Sequence, residues 1–157
     1  MDSRAIEQAY EPFVSAVRTG GFRSPTPDEG WTAAMIAAHV TLNNDHWTRA
    51  ARRLLAEGSA TYDNETAVAD EILLDHVAAV GEGAGLVADL ERSVRELAAA
   101  YDDLGPTGAQ EIPVRIVHEG RIVTDRPAPL ADMIVGNATY HLQMHYEQLL
   151  ALRQGTG

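Results

Sequence analysis

Two histidines near the end of the chain have a spacing that suits metal binding. His141 and His145 are four residues apart in a segment with helical periodicity, so their side chains project from one helix face about one turn apart. Two imidazoles placed in this way can bind one ion together. The rest of that face is apolar, with Ile134, Ala138, Leu149 and Leu152. Both rings should therefore point inward, where each buried nitrogen needs a partner and a metal ion would provide one for one nitrogen of each ring.

A third histidine, His39, has similar surroundings in an earlier helical segment. Met35 and Leu42 flank it at helical spacing and predict that its ring also faces inward. The three histidines form one site only if the second helix packs against the last, which spacing alone does not decide. From spacing, His39, His141 and His145 are therefore either the ligands of one divalent metal ion or hydrogen-bonded residues of the core.

Several polar residues lie close to these histidines along the chain. Asn43 is one turn beyond His39, and a second asparagine, Asn137, precedes the C-terminal histidine pair by one turn. Asn43, Asp45 and His46 are candidates for catalytic groups that transfer protons beside the metal. Each also has a structural interpretation, as a hydrogen-bonded or surface side chain. The two remaining histidines, His76 and His118, are expected to face solvent.

Helical segments with glycine or proline at their ends must carry these residues. The apolar periodicity predicts helices over residues 4–18, 31–57, 68–80, 86–104 and 130–153. Gly58 closes the second of them, and Pro129 suits the first turn of the last. Residues 59–66 are predicted to be a polar loop. The composition of the last four residues, 154–157, predicts that they are disordered.

The pattern changes between the fourth and the last predicted helix. Apolar residues alternate along 112–117, and Glu119-Gly120 can form a tight turn into residues 121–124. This pattern predicts a small β-hairpin. Pro127 and Pro129 are expected to end it.

These elements define the expected architecture. The length of 157 residues suits one domain, and the sequence contains neither an internal repeat nor a domain boundary. We therefore predict a single domain over 1–157, a mainly α four-helix bundle with a small β-hairpin before its last helix.

The composition excludes several classes of function. The net charge of −11 argues against a nucleic-acid partner, because phosphate binding depends on clustered Lys and Arg. Cysteine is absent, which excludes disulfides, thiolate ligands and a cysteine nucleophile. No segment approaches the roughly 18 apolar residues of a membrane helix, and the N-terminal residues do not resemble a signal peptide. We expect a cytoplasmic protein that acts on a small molecule and has no membrane or nucleic-acid partner.

The second and last helices carry motifs that resemble a known family. The run WTAAMIAAHV, residues 31–40, resembles the second-helix signature of the DinB/YfiT-like superfamily, in which a tryptophan precedes an inward histidine by about two turns. The segment HLQMHYEQL, residues 141–149, is similar to the closing element of that superfamily, two histidines four apart followed by Gln-Leu. The resemblance spans nearly the whole chain. It is strongest to the DinB-like proteins related to the N-terminal domain of mycothiol-dependent maleylpyruvate isomerase.

The resemblance implies an up-down-down-up four-helix bundle in which His39, His141 and His145 hold one divalent ion, zinc or nickel. Three neutral protein ligands leave a coordination position open, as in catalytic sites. The leading hypothesis is a metal-dependent transferase that activates a mycothiol-type thiol, which must come from a cosubstrate because the chain has no cysteine. The alternatives are a hydrolase that activates water at the metal and a non-catalytic metal-binding or oligomerising bundle. A homodimer is also implied, because members of the superfamily are often dimers.

Overall fold

The structure, a computed structural model, describes residues 1–153, and the disorder predicted for 154–157 lies outside them. The described chain is mainly helical with a small three-stranded sheet. The helices are α1 (Ser3–Thr19), α2 (Ala33–Glu57), α3 (Asp70–Val80), α4 (Ala84–Leu104), α5 (Leu130–Gly136) and α6 (Leu142–Ala151). A π-helical turn, Asn137–His141, joins α5 to α6 directly. Short 3₁₀ turns cover Pro27–Glu29, Glu65–Val68 and Gly105–Ala109.

Local signals explain the ends of α2, the helix that carries His39. Thr32 caps its start, accepting a hydrogen bond from the backbone N–H of Met35 at 3.2 Å. Gly58 ends it in the left-handed conformation (φ 71°), which costs glycine little. The predicted helices are confirmed, with ends that agree to within two residues. Among the described helices, none combines the length and apolar character that crossing a bilayer requires.

The strands form one sheet in the order β1-β2-β3. They are β1 (Tyr62–Asp63), β2 (Glu111–His118) and β3 (Arg121–Pro129). The strands β2 and β3 are antiparallel and joined at Glu119 and Gly120, which both have positive φ angles (49° and 73°), as a tight hairpin turn requires. The predicted hairpin is therefore confirmed.

Two details of the sheet differ from the sequence prediction. The strand β3 continues through Pro127, which pairs with Pro113, so Pro127 does not end the hairpin as expected. Proline is tolerated there because β3 is an edge strand. The short strand β1 lies within residues 59–66, predicted as a loop, and pairs in parallel with β2.

The core brings the second helix against the last. The helix α2 contacts α3, α4 and α6, and α1 contacts α4 and α6. The largest fully buried side chains of the core include Tyr10, Phe13 and Trp47. The packing of α2 on the last helix is the condition that the three histidines needed in order to meet.

A π-helical turn interrupts the regular geometry of the last helix. Such a turn accommodates an additional residue and is frequent at functional sites. Ile134 before the turn and Leu149 after it are both fully buried (0% exposed), so the helix keeps its apolar face on the core along its length. The turn ends at His141.

Candidate metal centre

The three predicted ligands meet at their Nε2 atoms. The Nε2 atom of His141 lies 3.1 Å from that of His39 and 3.1 Å from that of His145. The three candidate ligand atoms all lie within 4.8 Å of one another. Ligand nitrogens of a tetrahedral zinc ion lie about 3.3 Å apart, given Zn–N bonds of about 2.0 to 2.1 Å. The cluster therefore has nearly the dimensions that a divalent ion requires.

Hydrogen bonds behind two of the rings orient their free nitrogens toward the cluster. The Nδ1 atom of His39 donates to the backbone carbonyl of Ala67 at 2.6 Å, and Nδ1 of His145 donates to Oε1 of Gln148 at 2.8 Å. Because each Nδ1 carries the proton, each Nε2 presents a lone pair to the cluster. Hydrogen bonds of this kind fix the tautomer and orientation of metal-binding histidines. Two lone pairs converging beside His141 fit a bound cation.

Burial keeps the three imidazoles neutral, which is the form that binds metal. The pKa of His39 is lowered to about 3. Desolvation is the larger cause, and the repulsion that a protonated His39 would feel from a protonated His145 is the second. Desolvation and the neighbouring histidines also lower the pKa of His141. Desolvation also lowers the pKa of His145, although its hydrogen bond to Gln148 acts in the opposite direction. Protons therefore compete weakly with a metal ion near neutral pH.

These lowered pKa values predict that the metal-free protein loses stability in mild acid. The unfolded chain binds protons at its histidines below about pH 6.5, whereas the folded chain resists protonation. The stability is therefore fully present above about pH 6.5 and is lost as the pH falls toward the folded-state pKa values. His39 and His141 alone should lower the free energy of unfolding by about 2.5 kcal/mol between about pH 7 and pH 5.5, and His145 adds to this loss.

Urea unfolding of chelator-treated protein at these two pH values measures the loss. The variant His141→Asn should reduce it by about 1 kcal/mol, because one of the buried histidines no longer titrates. The variant His118→Asn is the control, since that histidine is exposed and lies outside the cluster. An unchanged free energy of unfolding across the range would contradict the assignment of three neutral buried rings.

The cluster opens into a cavity of about 770 Å³. All three histidines line it, together with apolar residues of the hairpin, the last helix and the segment before α2. These apolar residues include Trp31, Ile116, Val117, Val123, Tyr140 and Met144. The ring of Trp31 lies 5.0 Å from that of His39 and stacks on that of His145 at 6.3 Å, and its Nε1 donates to Asp70 at 2.8 Å. A molecule in this cavity would touch the histidines on one side and a mixture of apolar and acidic side chains on the others.

A buried polar network lies one helical turn from the cluster. The Nδ2 atom of Asn43 donates to Oδ1 of Asn137 at 2.5 Å. In turn, Nδ2 of Asn137 donates to the hydroxyl of Tyr10 at 2.9 Å and to Asn44 at 3.2 Å. The hydroxyl of Tyr62 donates to Oδ1 of Asn43. This network joins α1, α2 and β1 to the π-helical turn.

The three predicted catalytic residues lie away from the cavity of the cluster. Asn43 is buried in the polar network (2% exposed). Asp45 forms a two-pronged ion pair with Arg92 at 2.9 and 3.0 Å. His46 donates to the backbone carbonyl of Asp63 at 2.9 Å and lines a separate cavity of about 360 Å³. The structure does not bring Asn43, Asp45 and His46 together with the three clustered histidines at one cavity wall.

The two histidines expected to face solvent lie in different environments. His76 was expected to face solvent, and this prediction is wrong: its Nε2 lies 2.8 Å from Asp89, and only 18% of its side chain is exposed. His118 is exposed as predicted (52%) but also lines the cavity.

Two hydrogen-bond partners of the cluster, Gln148 and the Ala67 carbonyl, were not predicted from the sequence. Their roles behind the rings depend on folded geometry. The Gln148 contact had a signal in its spacing, three residues after His145.

The fold and the cluster define a mainly helical protein whose three close histidines could hold a metal ion. The family model described as the mycothiol maleylpyruvate isomerase N-terminal domain matches residues 3–117, well over half of the chain. The protein belongs to this DinB-like family, as the sequence resemblance predicted. Neither a curated protein nor a solved structure gave a match. The matched region includes His39 and ends before His141 and His145, so their place in the cluster rests on geometry.

Proposed function

We propose that the protein is an enzyme that uses a divalent metal ion, zinc or nickel, to transfer a mycothiol-type thiol to a small electrophilic substrate. The ligands are His39, His141 and His145. The observation that carries the proposal is the convergence of their Nε2 atoms, with two of the rings held from behind at Nδ1. Membership of a family named for a mycothiol-dependent reaction supports the choice of cosubstrate.

Three neutral protein ligands leave room for an exogenous ligand on the ion. His39, His141 and His145 would hold a divalent ion there, and such an ion would supply the chemistry of lowering the pKa of a bound thiol. The chain must recruit that thiol from solution, because it has no cysteine of its own. Trp31, Ile116 and Met144 line the cavity beside the histidines and would shield part of a bound substrate from water. These residues position the substrate beside the thiol rather than exchange protons with it.

The remaining parts of the proposal concern the arrangement of the chain. The four long helical rods are inferred to follow the up-down-down-up order of DinB-like bundles. The contacts of α2 and of α1 with both α4 and α6 support this inference. We also propose that the protein is cytoplasmic and forms a homodimer. None of Asn43, Asp45 and His46 lines the cavity of the cluster. Any effect of these three residues on the reaction would therefore be indirect, through the positions of the residues that do line it.

Thiol activation can be measured directly. Zinc-loaded protein should lower the apparent pKa of stoichiometric mycothiol by about two units or more, because a coordinated thiol loses its proton readily. The ultraviolet absorbance of the thiolate, recorded against pH, reports this change. The variant His141→Ala is the control and should leave the thiol pKa at its solution value.

Two results would contradict the proposal. In the first, zinc is bound but the thiol pKa does not move. In the second, activated esters or amides are hydrolysed without thiol at a rate that added mycothiol does not alter, which would establish the hydrolase alternative instead.

A further inference from the structure

The cavity beside the histidine cluster carries charge of one sign. Three carboxylates line it, those of Glu29, Asp70 and Glu119. Within residues 1–153, no arginine lines it, and the chain contains no lysine. A ligand in this cavity is therefore surrounded by apolar walls and by negative charge, apart from any ion that the cluster holds.

Two of these carboxylates keep an unbalanced charge. Glu29 is paired with Arg23 at 2.9 Å, so its contribution is largely neutralised. Asp70 accepts a hydrogen bond from the indole of Trp31, which is uncharged. Glu119 is 85% exposed in its side chain at the hairpin turn, where it lies 4.0 Å from His118. In the described chain, neither Asp70 nor Glu119 lies within ion-pair distance of an arginine.

Aromatic rings add to the preference that the carboxylates create. Trp31 lines the cavity next to the clustered histidines, and Tyr140, which is 85% exposed, borders it from the last helix. Aromatic faces attract cations and repel anions. Met144 and Val123 supply further apolar surface. These walls suit a ligand with an apolar body and an ammonium or uncharged polar group.

We infer that the cavity selects an uncharged or cationic substrate with an apolar body and discriminates against carboxylates, through Asp70, Glu119 and Trp31. As a statement about the substrate, this inference rests on the proposed function. As a statement about binding, it concerns the cavity alone. It predicts that a dicarboxylate such as maleylpyruvate binds the metal-free cavity more weakly than an uncharged or cationic ligand of similar size.

Three small probes of matched size and different charge test the inference: benzylammonium, benzyl alcohol and benzoate. The indole N–H signal of Trp31 in a ¹⁵N NMR titration reports occupancy of the cavity. The indole of Trp47 is an internal reference, because it is buried and stacks on Tyr62. In chelator-treated protein, benzylammonium should bind about five-fold more tightly than benzoate, with benzyl alcohol between them.

Charge-removing variants identify the residues responsible. The double variant Asp70→Asn, Glu119→Gln should bring the ratio of the two affinities close to one, and the amide oxygen introduced at position 70 can still accept the bond from Trp31. The variant Glu7→Gln, Glu11→Gln changes the net charge equally on the exposed face of α1 and should leave the ratio unchanged. Equal affinities in the wild type, or a ratio that the Asp70 and Glu119 substitutions do not alter, would overturn the inference.

Repeating the titration with zinc-loaded protein separates this inference from the proposed function. If the chain binds no zinc but retains the charge preference, the metal proposal fails and the inference stands. If zinc binds and the Asp70 and Glu119 substitutions leave the preference unchanged, the inference fails and the metal proposal stands.

Discussion

Replacing His141 by alanine is expected to abolish tight binding of zinc and nickel. His141 is the central member of the cluster, with its Nε2 atom 3.1 Å from the Nε2 atoms of both His39 and His145. Its loss leaves His39 and His145 as the only two histidines of the cluster. Each can offer only its Nε2 atom to a metal ion, because its Nδ1 atom is hydrogen-bonded to Ala67 or Gln148. Loss of an outer hydrogen-bond partner alone lowers metal affinity by about 10- to 100-fold, so loss of a ligand should cost more than about 100-fold.

Elemental analysis of untagged protein, purified without chelator, measures this effect. We expect about one zinc or nickel ion per chain in the wild type and a value near zero in His141→Ala. Competition with a chromogenic chelator then gives the ratio of affinities. The control is His118→Ala, which removes a histidine from the same cavity but not from the cluster. Metal-free wild-type protein that also ignores added zinc and nickel would show that the three rings are hydrogen-bonded core residues.

Part of this site was predictable because it depends on helical periodicity. The inward direction of His39 and the shared face of His141 and His145 follow from apolar neighbours at helical spacing. Their meeting depends on packing between helices about a hundred residues apart along the chain, and periodicity contains no information about that packing. The resemblance to DinB-like proteins supplied this relation, and the structure has the three rings in contact.

The features that sequence did not reveal are those that tertiary contacts impose. The π-helical turn over Asn137–His141 follows no apolar period, and its side-chain partners come from α1 and α2. The strand β1 consists of Tyr62 and Asp63, too short for an alternating pattern, and exists because it pairs with β2. His76 is mostly buried, with Asp89 of α4 beside it as its partner. In each case the decisive partner is distant in the sequence.

The polar network beside the cluster should contribute strongly to the free energy of unfolding. Asn137 is 5% exposed, accepts a hydrogen bond from Asn43 and donates to Tyr10 and Asn44. Its replacement by leucine leaves the Nδ2 donor of Asn43 without its partner and puts an apolar group among polar ones. A buried group left unsatisfied costs about 1 to 3 kcal/mol. We expect Asn137→Leu to lower the free energy of unfolding by about 3 kcal/mol.

Urea unfolding of the chelator-treated protein measures this loss. Thr139→Val is the matched control within the same π-helical turn, because the hydroxyl of Thr139 donates only to carbonyls of its own helix, Val135 at 2.7 Å and Gly136 at 3.4 Å. It should cost less than about 1 kcal/mol. A loss of equal size in both variants would mean that the turn itself, rather than the network, accounts for the stability.

Asn137→Leu should also weaken metal binding, and this effect is separate from its effect on the free energy of unfolding. Asn43 lies one turn after His39, and Asn137 lies one turn before His141, so their 2.5 Å hydrogen bond joins the two helices beside the cluster. Breaking it frees His39 and His141 to move apart, and affinity should fall by about 10-fold or more. In Thr139→Val this bond is intact, so the affinity should remain at the wild-type value. Chelator competition on folded protein separates the two effects, and an unchanged affinity in Asn137→Leu would limit the network to a role in stability.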